Sequence, residues 1–518
     1  MKLFDLLANI DINETNIDFT DAKNNYEICN ITRNSADVRV NSAFICLTGT
    51  KTDGHKYIGE AMKNGAVLII LEHKPEDFGE IILKTNTPYI LVKNTRKTEA
   101  KLWMTWYGEP VKSGNGNMKI IGITGTNGKT SVSYMIKQIL EDAGYKTALF
   151  GTIKYIIGDI GDIDIIEEES KLTTSDPDEL ARLFSLAKDA KVDYVIMEIS
   201  SHSLELDKVA GLGIIDIGIF TNLTQDHLDF HGSMENYKNA KAKLFKMCKT
   251  GILNSDDAAA YDIMKLATSK NYLYGIKSKK SKRLKTDFQA DNIEYLGVDG
   301  IEYDFIKIEK TEKADKIFKI SSPMAGGFYV YNTLAAAAAG YILGIDAKII
   351  SGALKKVKIK GRMEKLDTGT DYSVFIDYAH TPDALENVLK SFRSFAKGRI
   401  ITLFGCGGDR DRIKRPLMGK IASENSDFCV ITSDNSRTEE PINIIRDIVA
   451  GIDLDDIKKQ FMVVIDRREA IEYAMKIAQP DDIILLAGKG HEDYISEKGA
   501  VRHFSEREIV FEILKNKK

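Results

Sequence analysis

Apolar residues fall in short runs separated by polar turns along most of the chain, and the most ordered pattern lies at 118–144. Ile120, Ile121 and Ile123 form a run of strand length. A turn follows through Thr124, Gly125, Thr126, Asn127 and Gly128, and then Val132, Met135, Ile136, Ile139, Leu140 and Ala143 recur at helical spacing. The pattern predicts a buried strand, a sharp glycine turn and a helix opening at Lys129, with Gly144 at the C-cap. Before it, residues 1–112 mix strands at 43–47, 67–71 and 89–92 with a helical stretch at 57–64. The segment 113–117, SGNGN, has linker composition and sets a first domain boundary.

From 118 to about 360 strands alternate with helices, which predicts a largely parallel sheet. Runs at 193–199 and 218–220 are two of its strands, and the more polar stretch at 270–320 reads as an antiparallel insertion. A second boundary falls near Ile359, Lys360 and Gly361. A third α/β unit follows, with strands at 372–376, 400–404, 427–432 and 482–487 that each run into a polar or glycine-rich loop. Thr381 and Pro382 supply an N-cap and an N1 proline for the helix after the first of these strands. The expected fold class is α/β, divided as 1–117, 118–360 and 361–518.

Length supports this division, because 518 residues exceed what one core holds. A net charge of −4, with basic residues spread out apart from Lys279, Lys280, Lys282 and Arg283, predicts no general affinity for nucleic acid or anionic membrane. Asp5 and Asp11 interrupt the N-terminal apolar residues, so neither a signal peptide nor a membrane span is expected. The five cysteines are scattered with no CxxC pair, which predicts a reducing compartment, the cytoplasm, and no structural zinc. No coiled coil or interaction stripe stands out, and a monomer is expected.

The chemistry begins at the glycine turn. Strand, glycines, Lys-Thr and helix form the geometry of a phosphate loop, in which backbone amides and a helix N-terminus meet phosphate oxygens. Ile123 occupies the place of the usual first glycine, so an ordinary βα turn is the plainer alternative. On the phosphate reading, Lys129 meets the β/γ-phosphates of ATP and Thr130 meets Mg²⁺. Glu198 ends an apolar strand, either as a carboxylate facing water or as a metal-positioning acid. His227 lies among Asp226, Asp229 and His231, where local sequence leaves a solvated and a metal-binding histidine equally open.

Lys241 is more specific. In the segment 233–248 the apolar stripe is Met234, Tyr237, Leu244, Phe245 and Cys248, and Lys241 falls on it while Lys238, Lys243 and Lys246 do not. A lysine on a buried face either snorkels to the rim or loses its proton and reacts, for instance with CO₂ to give an anionic carbamate able to hold Mg²⁺. Arg410 and Arg437 follow strand ends in the third unit, where a guanidinium fork suits carboxylate recognition.

Taken together, the motifs GTNGKTS (125–131), MEISSHSLELDKV (197–209), TNLTQDHLDFHGSMENYKNAKAKLF (221–245), YNTLAAAAA (331–339), GRME (361–364), DYAHTPDAL (377–385), GCGGDRDRIKRP (405–416), SDNSRTEEP (433–441) and GKGHED (488–493) resemble the Mur ligases, in order over about 28–518. The resemblance implies an N-terminal UDP-sugar domain, a central ATPase and a C-terminal Rossmann-like amino-acid domain. It assigns Gly125, Thr126, Asn127, Gly128, Lys129, Thr130 and Ser131 to ATP, with Asn332, Arg362, Asp377 and His380 around the nucleotide. It makes Thr130, Glu198 and His227 magnesium ligands and Lys241 a carbamylated lysine that completes the metal site. Ser35, Thr173, Thr174, Ser200 and Lys208 match positions touching UDP-N-acetylmuramoyl-L-alanyl-D-glutamate. The family usually has Asp-Ser-Arg where this chain has Asn34, Ser35 and Ala36, and commonly arginine at the place of Lys208.

In the family a DNPR motif marks members that use meso-2,6-diaminopimelate. Here Asp434, Asn435, Ser436 and Arg437 keep the arginine and lose the proline. The resemblance therefore implies an ATP-dependent ligase adding meso-diaminopimelate through an acyl phosphate, with Arg410, Asn435, Arg437, Gly488 and Glu492 around that amino acid. A lysine-adding, D-Ala-D-Ala-adding or folylpolyglutamate-type ligase is the nearest alternative. A P-loop regulatory ATPase that binds cell-wall precursors is an alternative from another class.

Overall fold

The computed structural model describes the chain except residues 50–51, 77, 112–117, 159–164, 171, 277–285, 309–313, 457–459 and 517–518 and the side chains of 314–317. The expected linker at 113–117 and the basic cluster at 279–283 lie outside the described residues.

The larger strands fall into three sheets. The N-terminal sheet has the order Ile12–Thr15, Tyr89–Val92, Ala66–Leu71, Ser42–Ile45, Asn30–Thr32, parallel except for its first pair. The helix Thr95–Trp106 joins it to the central sheet. Its Ala100 carbonyl would lie 2.3 Å from a Cβ at Gly211, so only glycine admits this approach.

The central sheet has eleven strands. Lys119–Thr124 sits between Tyr194–Glu198 and Ile215–Phe220, parallel to both. Glu198 lies opposite Ile123, and Phe220 opposite Thr124, so three strand ends finish at one level. The stretch at 270–320 extends this sheet at one edge and is antiparallel, as expected, over its last three strands. Lys270–Ile276 pairs in parallel with Cys248–Asn254, and the strands Phe288–Tyr295, Ile301–Ile308 and Ala314–Ser322 continue the same sheet, antiparallel after the first. Their alternation of polar and apolar residues reflects an edge with one wet face, which local sequence cannot tell from an independent hairpin.

Helix Lys129–Asp142 buries Val132, Met135, Ile136, Ile139 and Leu140, the face its spacing predicted. It packs against Gly327–Ile342, in which Ala335, Ala336, Ala337, Ala338 and Ala339 are fully buried. Small side chains let the helices come close, so that a Cβ on Gly340 would touch Ile139 at 3.2 Å. This approach carries Asn332 to the glycine turn.

The C-terminal sheet has six strands in the order Glu364–Leu366, Ser373–Asp377, Ile483–Ala487, Ile400–Phe404, Phe428–Ile431, Phe461–Val463, parallel after the first pair. Thr381 caps the helix Pro382–Arg393 by accepting from the Ala384 N–H at 3.3 Å. A hairpin, Tyr494–Glu497 with Ala500–His503, stands beside the sheet. No helix among the described residues is long and apolar enough to cross a membrane.

Candidate functional site

The glycine turn can be built only with glycine. Gly125 has φ +152°, and a Cβ there would lie 1.8 Å from Thr221 Oγ1. Gly128 has φ +86° and would meet Asn332 Oδ1 at 2.6 Å. Lys129 Nζ donates to the carbonyls of Gly125 and Thr126, each at 2.9 Å, and burial lowers its pKa. Thr130 Oγ1 donates to Glu198 Oε2 at 3.0 Å. Glu198 is buried and also accepts from the Thr152 N–H and hydroxyl, both at 2.9 Å. Thr126 Oγ1 donates to the Thr224 carbonyl at 3.2 Å, and Ser131 is buried beside the Tyr329 phenol.

Lys241 is 1% exposed, as its place on the apolar stripe predicted, although Met234 at the first turn of that helix is 36% exposed. Its Nζ lies 4.3 Å from the Tyr237 ring centroid and makes no hydrogen bond or ion pair among the described residues. Burial, reinforced by the Lys129 ammonium, holds the Lys241 pKa well below the ordinary lysine value. His227 has φ +52°, turns its ring edge toward His202 at 4.7 Å, and is pushed by burial toward the neutral form. Asp226, Lys129 and Lys241 all act on it electrostatically, so the expected lysines and histidine share one site.

The C-terminal sheet closes over this cluster. Asp383 Oδ2 accepts from Asn127 Nδ2 at 2.7 Å and from Thr224 Oγ1 at 3.0 Å. Arg362 stacks on Tyr378 at 4.5 Å and donates from Nη2 to Thr130 Oγ1 at 3.3 Å. Buried Asp377 accepts from the N–H groups of Met363 at 2.6 Å and Ala379 at 2.8 Å, which fixes the turn that aims Arg362. Burial raises the Asp377 pKa against the pull of Arg362. His380 pairs its Nδ1 with the Tyr378 carbonyl at 2.8 Å.

Two loops form the second cluster. Arg437, at φ +52°, donates from Nη1 to the Gly408 carbonyl at 2.6 Å. Asn435 Nδ2 donates to Glu492 Oε2 at 2.8 Å, and its Oδ1 accepts from the Ser496 N–H at 2.9 Å. Burial raises the Glu492 pKa, opposed by Lys489. Asp434 stays low although burial acts to raise it, because Lys489 and Arg467 outweigh that effect. Gly488, at φ +109°, donates its N–H to the Asp377 carbonyl at 3.0 Å and so links this cluster to the first. Ser436 is buried, while Arg410 is exposed at the rim.

Sequence reasoning missed Thr152, Asp383 and Lys489. Lys489 is fully buried within a GKG turn, a composition that reads as a wet loop. Cys406 is buried beside Met418, with sulfurs 3.6 Å apart, and burial pushes its thiol up to about 12.

Thr173, Thr174 and Ser200 gather around the Glu198 strand end. Thr174 Oγ1 donates to the Glu198 carbonyl at 2.9 Å and accepts from the Ser200 N–H at 3.0 Å, and Thr173 Oγ1 lies 3.2 Å from Thr152 Oγ1. Ser35 lies apart from them. It bonds Glu60 and lines a cavity of about 500 Å³ with Asn34, Thr52, Tyr57 and Arg96. Lys208 and Arg33 both pair with Asp176, at 2.6 and 2.8 Å, and Arg33 reaches Glu99 at 3.5 Å. This chain of charges joins the N-terminal sheet to the central one.

Among the described residues one other group has metal-ligand character, Asp53, His55 and His73. His55 Nε2 accepts from the Glu72 N–H at 3.2 Å, so its proton sits on Nδ1 and faces Asp53 at 2.6 Å. That leaves no lone pair on His55 for a cation.

Comparison with known proteins follows this geometry. Three family models match: "Mur ligase family, catalytic domain" over 27–107, "Mur ligase middle domain" over 123–340 and "Mur ligase, glutamate ligase domain" over 361–490. A UDP-N-acetylmuramoyl-L-alanyl-D-glutamate–2,6-diaminopimelate ligase of Syntrophomonas wolfei is 41% identical, with 100% of each chain covered. One of the same name from Clostridium botulinum is 43% identical over 95% of this chain and 96% of its own. A solved structure of a ligase of that name superposes with a TM-score of 0.66 at 29% identity, covering 97% of each chain. The MurF ligase of Thermotoga maritima in complex with ADP shares the fold, with a TM-score of 0.55 at 17% identity over 94% of this chain and 98% of that one.

The seam between the sheets yields a pH prediction. Burial raises Glu99 to about 7. The folded chain therefore keeps a proton that the unfolded chain releases near the ordinary glutamate value. Stability is full below that value and falls as pH rises through about 7. Glu99→Gln stays neutral, so its melting temperature should gain on that of the parent between pH 4.5 and 8. A difference that stays flat across the range contradicts the assignment.

Proposed function

The chain belongs to the Mur ligase family, and on that premise we propose that it joins meso-2,6-diaminopimelate to the D-glutamate of UDP-N-acetylmuramoyl-L-alanyl-D-glutamate at the expense of ATP. The observation that carries this reading is the meeting of the glycine turn, Glu198 and Lys241 with the loops of the C-terminal sheet. The proposed domains are 1–117 for the UDP-sugar, 118–360 for ATP and 361–518 for the amino acid. The proposed setting is a cytoplasmic monomer, in keeping with five free cysteines.

The turn fits a triphosphate. Its glycines let the backbone fold tightly against Thr221 and Asn332, where a Cβ would clash, and among the described residues Lys129 is held by two carbonyls that it can exchange for phosphate. Asn332, which meets the glycine turn, and His380 are assigned to the nucleotide. Thr130 and Glu198 offer oxygen donors suited to a hard divalent cation, and His227 offers the nitrogen lone pair of a neutral imidazole as a further ligand. Magnesium bound there supplies positive charge beside the transferring phosphoryl group. Lys241 is poised to add CO₂ as its free amine, releasing a proton and leaving a carbamate anion to complete the ligand set.

The γ-carboxylate of D-glutamate attacks the γ-phosphorus, ADP leaves, and an acyl phosphate forms. Lys129, Arg362 and the loop amides stabilise the negative charge at the phosphoryl group. The amine of diaminopimelate then adds to the acyl carbon, and the tetrahedral adduct collapses to the amide and phosphate. No side chain acts as a nucleophile. Thr173, Thr174 and Ser200, around the Glu198 strand end, are assigned to the dipeptide end of the donor together with Lys208, and Ser35 is assigned to its nucleotide.

Selection of the amino acid falls to Arg437, whose guanidinium suits the distal carboxylate, with Arg410, Asn435, Gly488 and Glu492 around the amino acid. Ser436 replaces the family's proline, yet the loop is pinned on both sides, by Arg437 N–H to the Ser496 carbonyl at 3.0 Å and Lys498 N–H to the Arg437 carbonyl at 2.6 Å.

Phosphate release should require the nucleotide dipeptide and run far faster with meso-diaminopimelate than with lysine. Turnover without donor or amino acid would instead favour a regulatory ATPase. Arg437→Ala forfeits charge-assisted hydrogen bonds worth ~1.5–3 kcal/mol, so KM for diaminopimelate should rise roughly ten- to a hundredfold while KM for ATP holds. Unchanged use of diaminopimelate would remove Arg437 from the site. For Lys241, ¹³C-bicarbonate should give a carbamate resonance that Lys241→Gln lacks. An identical spectrum from the variant would exclude the modification.

A further inference from the structure

Behind the two amino-acid loops lies an arginine with no part in the phosphate chemistry proposed above. Arg467 opens the helix Arg467–Ile477 and has a fully buried side chain. Its Nη1 donates to the Ser433 carbonyl at 3.1 Å and its Nη2 to the Ala487 carbonyl at 2.7 Å. Nε donates to Glu506 Oε1 at 2.9 Å, and Nη1 lies 3.8 Å from Asp434 Oδ2. Ser433 is the residue before Asp434, and Ala487 is the residue before Gly488. One planar guanidinium thus bridges the peptide groups from which both loops spring.

Those loops are tightly apposed, since a Cβ on Gly488 would lie 2.9 Å from Asp434 Oδ2. A shift between the two strand ends would move Asn435 relative to Glu492, whose side chains bond at 2.8 Å. Glu506 is 2% exposed in the first turn of the last helix, Glu506–Asn516, and holds the guanidinium from the side away from the loops. A lysine at 467 would keep the charge but lose the fork, and one ammonium cannot hold both carbonyls in the same plane.

We propose that Arg467, oriented by Glu506, is a positioning residue that sets the spacing of the Asp434–Arg437 and Gly488–Glu492 loops and thereby the preference for the amino acid captured. The inference rests on the ligase reading above. It distinguishes Arg467 from a residue that serves stability alone, because its carbonyl partners belong to the two loops of one subsite.

The test compares Arg467→Lys and Glu506→Gln with the parent. KM for meso-diaminopimelate should rise at least tenfold in Arg467→Lys, and the preference for it over lysine should fall at least fivefold, with a smaller change of the same kind in Glu506→Gln. KM for ATP should stay within twofold. Donor-dependent isotope exchange within ATP, run without amino acid, should keep its parental rate. Should Arg467→Lys not fold, the Glu506→Gln profile decides. Unchanged amino-acid KM and preference in a folded variant, or KM values for all three substrates rising together, would overturn the proposal. A parent protein that does not use diaminopimelate would instead overturn the ligase reading.

Discussion

Glu198 ends a strand that runs parallel to the one feeding the glycine turn, one step from level with it, and from there its carboxylate takes the Thr130 hydroxyl at 3.0 Å. Much else in the site follows from that register. Strand pairing fixes where the acid stands, and the turn fixes where the hydroxyl and Lys129 stand. Both lie beyond the carboxyl ends of parallel strands, where an open α/β sheet leaves a crevice. A slip of one residue would turn Glu198 to the other face and empty the site of its acid.

Around that contact the chain gathers cations that it cannot all keep charged. Lys241 is buried and Lys129 half-buried, and the Lys129 ammonium adds to burial in depressing the affinity of Lys241 for a proton. Lys129 has loop carbonyls as partners, whereas Lys241 lies over the Tyr237 ring with no hydrogen bond among the described residues. The proton is therefore lost more readily at Lys241, and a neutral buried amine is what carbamate formation requires. In the C-terminal sheet the arrangement is different. There Arg415 and Arg467 are buried and bonded to carboxylates and carbonyls, so they serve as struts rather than as reagents.

Much of this was legible before any coordinates. The strand, turn and helix at 119–142 follow from local periodicity, and Lys241 betrayed its burial by lying on an apolar stripe. Residues that meet only through strand order were not legible. Thr152 reaches Glu198 from the turn after the adjacent strand Thr147–Phe150, and Asp383 reaches Asn127 from the first turn of the helix Pro382–Arg393. At 270–320 the antiparallel strands are legible but their attachment to the central sheet is not, because alternation tells which face is wet but not which strand lies next door. Lys489 was hidden by its own turn, since a glycine on either side gives no periodicity from which to infer depth.

The central claim is that the peptide carboxylate is activated by direct phosphoryl transfer. Donor labelled with ¹⁸O in both oxygens of the D-glutamate γ-carboxylate tests it. The account predicts one ¹⁸O atom in each phosphate released per amide formed. Phosphate free of label, with amide still produced, would contradict it.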